Sequence, residues 1–292
     1  MVRLTLPPPR RQKFWSRYRM LAVGLGIVGF WVLVALFAPL LSPYAPNVPD
    51  MSARLAMPSL QHLLGTDEYG RDLLTRIFFG ARLSVFIAVA STLAAIAVGV
   101  PIGIYAGYRA GLAGEALMRV MDVFLAFPSL VLALAIGAAI GPGLTGELLA
   151  ITLVSVPTFA RQAYAGTVAT KHLPFVESAR ATGAGVGRLI GRHLLPNMFG
   201  PLLVISTLNL GFAVLTGASL SFIGLGVPLP TAEWGSMVSD GSQYLVSGQW
   251  WMSLFPGLAI MTIVFAFNLV GDGLRDLADP RMRRSRSLSD AV

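Results

Sequence analysis

Apolar residues in this chain come in long blocks, not at every second or third position. Residues 20–41, 83–108, 118–140, 148–169, 201–225 and 251–270 are almost free of charge, and polar segments separate them. At about 1.5 Å per residue, about 20 residues of α-helix cover about 30 Å, the thickness of a bilayer's hydrocarbon core. The pattern predicts six transmembrane helices and an all-α polytopic membrane protein. A cleaved leader is the competing reading of 20–41. Its apolar region would be shorter, and Ala38-Pro39-Leu40-Leu41-Ser42-Pro43 is a poor cleavage site. The segment is read as an uncleaved first span.

Inside the blocks, Gly99, Gly103 and Gly107 recur at every fourth position. That puts them on one helix face, where small residues let a neighbouring helix approach closely. Pro101, Pro128, Pro157 and Pro256 each forfeit a backbone hydrogen bond and are expected to kink their helices. Asn209 and Asn268 are expected to act as hydrogen-bonding glue between helices. Asp122 and Arg161 lie toward the ends of their blocks, and the middles of all six lack Asp, Glu, Lys, Arg and His. Charges at mid-membrane are costly and are retained for function, commonly in ion-driven carriers. Their absence implies that the driving force enters from outside the spans.

Between the first two blocks, residues 42–81 are first proline-rich and then amphipathic. Gly65-Thr66-Asp67-Glu68-Tyr69-Gly70-Arg71-Asp72 leads into Leu73, Leu74, Ile77, Phe78 and Ala81, with Arg71, Arg76 and Arg82 interspersed. This spacing suits a helix lying along the bilayer surface, apolar side down. Asp67 and Asp72 read as turn and helix-cap residues in preference to ligand contacts. Trp234, Trp250 and Trp251 suit the membrane interface.

Composition agrees with a membrane protein. Of 292 residues 55% are hydrophobic and only 12% charged, against about a quarter charged in soluble domains. Six spans put both ends on one side. Assigning that side to the cytoplasm leaves outside only four of the 22 lysines and arginines, namely Arg54, Arg71, Arg76 and Arg82. This asymmetry sets the orientation and explains the net charge of +8 without nucleic acid as a partner. The chain then divides into a basic tail (1–19), the first span (20–41), an outer segment with an interfacial helix (42–81), the main bundle (82–271) and a second basic tail (272–292).

Catalytic chemistry has no visible seat. With no cysteine there is no disulfide, thiolate nucleophile or Cys-ligated metal. Lys13 and Lys171, the only lysines, follow no glycine-rich phosphate loop. His62, His172 and His193 are scattered and lack metal-ligand spacing. There is no G-x-S-x-G elbow. No cofactor, metal or enzymatic activity is expected.

The remaining signal is residues 174–197, a polar, basic, glycine-punctuated stretch between apolar blocks. Pro174 suits a first helical turn, and Gly183 suits the left-handed residue that ends a helix. A second short helix from about 186 to 195, stopped by Pro196, would complete a compact protrusion into water.

Glu177-Ser178-Ala179, then Gly183, then Leu195-Pro196 resembles the "EAA" motif of permease subunits of bacterial ABC importers. Ser178 replaces the middle alanine, and His193 stands at the motif's isoleucine. The ending Arg192-His193-Leu194-Leu195-Pro196-Asn197 is similar to the dipeptide/oligopeptide/nickel branch, and to its second permease in particular. So are the GTD-x-x-GRD segment, Glu233-Trp234-Gly235 and the stretch from Asn268 to Arg281. The resemblance implies the type I importer permease fold, with 174–183 as a coupling helix seated in a cleft of an ATP-hydrolysing subunit. It also implies a partner permease, two ATP-binding subunits and an external solute-binding protein. The implied substrate is a di- or oligopeptide, with nickel, glutathione or another small solute as the alternative. Glu177, Ser178, Ala179, Arg180, Gly183, Leu195 and Pro196 would form the coupling loop, with Glu177 contacting the ATPase or its own backbone, or pairing with Arg180. A stand-alone carrier or channel and an intramembrane enzyme are the competing classes.

Overall fold

The computed structural model describes residues 12–109 and 111–278. Arg3, Arg10 and Arg11 of the first basic tail, and Arg281, Arg283, Arg284 and Arg286 of the second, lie outside the described residues. Helix α1 (Gln12–Leu41) begins eight residues before the first apolar block. The distal end also stays helical through 272–278, as the last turns of α10 (Trp251–Ala278). Charged residues there extend the span's helix and do not end it.

Helix α2 (Leu73–Tyr108) runs for 36 residues. It revises the expected interfacial helix, because 73–81 is continuous with the second span. Two features explain this. The Asp72 side chain caps α2 by accepting from the Thr75 N–H at 2.8 Å. The polar side of these turns is also covered by protein: Arg76 is only 1% exposed, donating to the carbonyls of Pro46 and Pro230. Pro101 is accommodated without a break.

The third span is two helices, α3 (Leu112–Ala126) and α4 (Ser129–Ile140), bent by 97°. Proline excludes the preceding residue from the α region, and Phe127 is accordingly extended (φ −85°, ψ 144°). Counting this pair as one span, six candidate spans result among the described residues. Helix α5 (Leu144–Thr170) packs along α2. A Cβ on Gly99 would lie 2.6 Å from the Val156 carbonyl oxygen. One on Gly103 would lie 2.1 Å from that of Ala160, and one on Gly107 2.8 Å from the Thr167 Cβ. The three glycines form the seam along which the two backbones meet.

Helices α6 (Pro174–Ala181) and α7 (Val186–Leu189) follow, then a π-helical turn (Ile190–Leu194) and α8 (Leu195–Phe222). Pro196 does not stop the helix. The π turn widens the backbone just before it: the Leu195 N–H reaches the Ile190 carbonyl, five residues back. The proline then occupies the first turn of α8, where a missing N–H is tolerated. Helix α9 (Trp234–Ser242) is too short to span and leads to α10, which packs on α1, α8 and α9.

The core has two parts. One gathers Trp31, Leu73, Ile87, Ile151, Trp234, Trp251 and Ile263 near the start of α2. The other lies toward the far ends of α2 and α5 and gathers Ile104, Met118, Met121, Phe159, Val176, Leu189 and Leu194. Many large apolar side chains elsewhere on the spans are exposed, including Leu36, Leu40, Leu93 and Phe265. Such a surface requires lipid or further subunits around it.

Candidate coupling loop and outer cap

At one end of the bundle α6 stands away from the spans. It is anchored by one fully buried side chain, Val176, which joins the second core cluster. Glu177, Ser178, Arg180, Thr182 and Gly183 are all exposed. The elbow after α6 is closed by two hydrogen bonds: Gly183 N–H donates to Arg180 and Ala184 N–H to Ala179, each at 3.0 Å. This is the Schellman arrangement, and Gly183 adopts the left-handed φ of +83° that it needs. Nothing lies within 4 Å of a Cβ placed there, so the demand for glycine is conformational and not steric.

Glu177 does not pair with Arg180. Its carboxylate lies 3.9 Å from His172 Nδ1, both largely exposed, while the Arg180 guanidinium sits over the Tyr108 ring. Leu195 and Pro196 are likewise exposed at the foot of α8. The apolar side chains of Leu173, Phe175 and Val186 face outward on the same protrusion. Lys171 ties the loop's entry to the end of α2 by donating to the Gly107 carbonyl at 2.8 Å.

At the opposite end of α2, the GTD-x-x-GRD segment forms a compact knot. Asp67 accepts from the backbone N–H groups of Tyr69 and Arg71 and from Arg71 Nε at 2.7 Å. Arg76 approaches the same carboxylate at 3.4 Å. Thr66 accepts from the Ala56 N–H and donates to the Ala53 carbonyl. Asp72 adds a contact to His62 Nδ1 at 3.0 Å. Gly65 and Gly70 have positive φ, and a Cβ on Gly70 would fall 1.7 Å from the Asp50 carbonyl oxygen. Burial pushes the Glu68 and Asp240 carboxyls above their usual range, although Arg71 pulls Glu68, and Arg76 and Arg71 pull Asp240, the other way. Thr66, Asp67, Gly70 and Arg71 thus hold this segment together, while Asp72 ties it to the start of α2 and Gly65 packs against Trp251.

Two tryptophans expected at the membrane interface are inside this cap. Trp234 and Trp251 are fully buried, donating to the carbonyls of Ile77 at 2.9 Å and Thr66 at 3.2 Å. An indole placed against a helix with its N–H satisfied fills a core as well as an interface. Trp250 alone of the three is exposed, by 48%. Asn209 bridges helices by donating to Thr92 Oγ1 at 3.0 Å, whereas Asn268 donates to Val264 in its own helix and glues nothing.

Asp122 and Arg161 form an ion pair between α3 and α5. Sequence reasoning missed Glu147 and gave Glu233 only within a stretch of family resemblance; the two are 1% and 2% exposed. Glu147 falls in a short polar stretch that reads as an outer loop, and only the tertiary packing buries it. Glu233 caps α9, accepting from Gly235 and Ser236 N–H at 2.8 Å. Burial pushes its carboxyl up, and these N–H groups draw it partly back. No group of three or more potential metal ligands exists among the described residues.

The model described as "Binding-protein-dependent transport system inner membrane component" matches residues 99–284. The "N-terminal TM domain of oligopeptide transport permease C" matches 12–58. The dipeptide transport system permease protein DppC of Alkalihalophilus pseudofirmus is 42% identical over 283 residues, 96% of this chain and 92% of that one. The glutathione transport system permease protein GsiD of Pectobacterium atrosepticum is 38% identical over 276 residues, 93% and 91% of the two chains. An inward-facing structure of the MetNI methionine ABC transporter superposes with a TM-score of 0.58 at 17% identity, over 71% of this chain and 98% of that one. At that identity the match speaks for the fold, which is that of an ABC importer permease. With the family model covering most of the chain and relatives matching nearly end to end, this chain belongs to the binding-protein-dependent transport system inner membrane component family, as a multi-pass transport permease subunit.

Proposed function

We propose that the chain forms half of the translocation pathway of an ATP-driven importer of di- or oligopeptides, with α6 as the helix through which separate ATP-hydrolysing subunits move it. The carrying observation is mechanical. Helix α6 protrudes on a rigid Schellman elbow and is keyed into the bundle by Val176. A push on it passes to Met118, Phe159 and Leu194 in the second core cluster without being absorbed by a floppy loop. Exposed Phe175 and Val186 give the protrusion an apolar surface suited to a cleft in a protein partner. Nucleotide-driven closure of two such partners would reorient the bundle and a second permease beside it, opening the pathway alternately to either side. An external binding protein would deliver the solute. The termini and α6 lie in the cytoplasm, where ATP is.

The peptide assignment rests on the relatives' names, among them a probable D,D-dipeptide permease of Escherichia coli at 41% identity over 255 residues. The glutathione relative supports a second reading, in which a modified tripeptide is carried by the same architecture. The complex with its cognate ATPases and binding protein, reconstituted in vesicles, should accumulate labelled dipeptide only with ATP inside the compartment facing α6. Uptake by this chain without an ATPase would overturn the reading.

A further inference from the structure

Four elements meet around a small cleft that the transport mechanism above does not use. Ser84 and Ile87 of α2, Glu147 of α5, Ala213, Val214, Gly217 and Ala218 of α8, and Glu233 before α9 line a volume of about 10 Å³. That is about the room one water molecule needs. Among the described residues the two glutamates are the only titratable ones lining it. Two carboxylates buried together without a basic partner are not both ionised in a low-dielectric site.

The hydrogen bonds divide the roles. Glu233 accepts from the Gly235 and Ser236 N–H groups and from Ser84 Oγ at 3.3 Å, the donor set of an ionised carboxylate. Neither oxygen of Glu147 has a partner among the described residues. Its Oε1 lies against Gly217, where an added Cβ would come within 2.8 Å. A buried carboxyl group with both oxygens unmatched requires a ligand that supplies hydrogen bonds.

We propose that Glu147 and Glu233 form a proton-binding site, in which one proton and one water join the neutral acid of Glu147 to the carboxylate of Glu233. The proton is taken from bulk water and returns to it, with no other bond made or broken. The bridge joins the first turn of α5 to the N-terminus of α9, and the Ser84 hydroxyl, donating to Glu233, adds α2. Loss of the proton would set two negative charges against each other at the point where the cap meets the bundle.

The test uses the full transporter complex in lipid nanodiscs. Infrared spectra should contain a protonated-carboxyl stretch at neutral pH that shifts in D₂O and is absent from Glu147→Gln. A carboxyl that keeps its proton when folded but sheds it when unfolded loses stability as pH rises above the usual carboxylate value. The thermal midpoint of the wild type should therefore fall more steeply with pH than that of Glu147→Gln. Absence of the infrared band from the wild type would overturn the proposal without any variant having to fold, as would identical pH slopes. Stabilisation by sodium over choline at equal ionic strength, lost in Glu147→Gln, would also overturn it by assigning the cavity to a metal cation.

Discussion

The indole N–H of Trp234 donates to the carbonyl of Ile77 at 2.9 Å, across 157 residues of chain. Trp31 meets the same indole edge-on at 4.9 Å, and Gly80 leaves it room: a Cβ there would lie 2.9 Å from Trp234 Cδ1. One side chain thus joins α1, α2 and α9. Trp234→Ala should cost about 3–5 kcal/mol, the usual range for emptying a buried aromatic site. Trp234→Phe should cost less, since it keeps most of the packing. Thermal unfolding in detergent measures both, and equal losses would show that packing is not what the indole supplies.

The α2–α5 seam makes a sharper prediction, because backbone and not a movable side chain stands opposite. A Cβ on Gly103 would lie 2.1 Å from the Ala160 carbonyl oxygen. Gly103→Val should therefore push the helices apart, at about 1–3 kcal/mol. Gly29→Ala in α1 is the matched control, with nothing within 4 Å of the new methyl. The yield of folded protein and its unfolding midpoint should drop for the first and hold for the second.

What was legible in the sequence follows from which constraints are local. Bilayer thickness imposes span length directly, so the apolar blocks located the helices. Pro174 and Gly183 act through their own φ angles, so the shape of α6 and its elbow could be read from two letters. Pro196 misled because its effect depends on the turn before it, and the π turn at Ile190–Leu194 absorbs the missing hydrogen bond. Trp234, Trp251 and Glu147 misled for a tertiary reason. Nothing local distinguishes an indole at a lipid interface from one under a neighbouring helix, or a loop glutamate from a buried one. The amphipathic run after Asp72 suited a surface helix equally well, until the cap was seen to cover its polar side.

The cap carries a pH dependence of definite sign. Burial raises the Glu68 and Asp240 carboxyls, so the folded state holds protons that the unfolded chain releases above about pH 4. Their contribution is fully present below that value and is lost as pH climbs through the raised folded values. Asp240→Asn should shrink the fall in unfolding midpoint between acid and neutral pH. An unchanged slope would mean that Arg76 and Arg71 keep Asp240 ionised throughout.

At the elbow, a side chain on Gly183 meets no atom but must adopt φ near +83°, a strain of about 1–3 kcal/mol for a residue other than glycine. Gly185, two positions on, has φ of −67° and open space around it. Gly183→Val should separate ATP hydrolysis from uptake in the reconstituted complex while the protein still inserts. Gly185→Ala should transport normally. Equal transport by the two variants would remove the elbow from the coupling route.

Glu177 offers a cleaner separation of folding from partnership. Its contact is with His172, 3.9 Å away, and both groups are well exposed. An exposed pair of this kind contributes about 0–1 kcal/mol at most, and the α6 elbow is held by backbone bonds that do not involve it. Glu177→Ala should therefore leave the unfolding midpoint of the isolated chain within error. If α6 docks in an ATPase cleft, the same substitution removes a charge from the docked face, and less ATPase should co-purify with the complex. Val176→Ala should show the reverse, destabilising the bundle by emptying the second core cluster while leaving the docking surface intact. Should both variants lower stability and association together, α6 would be a structural brace and the site of coupling would have to be sought elsewhere on the chain.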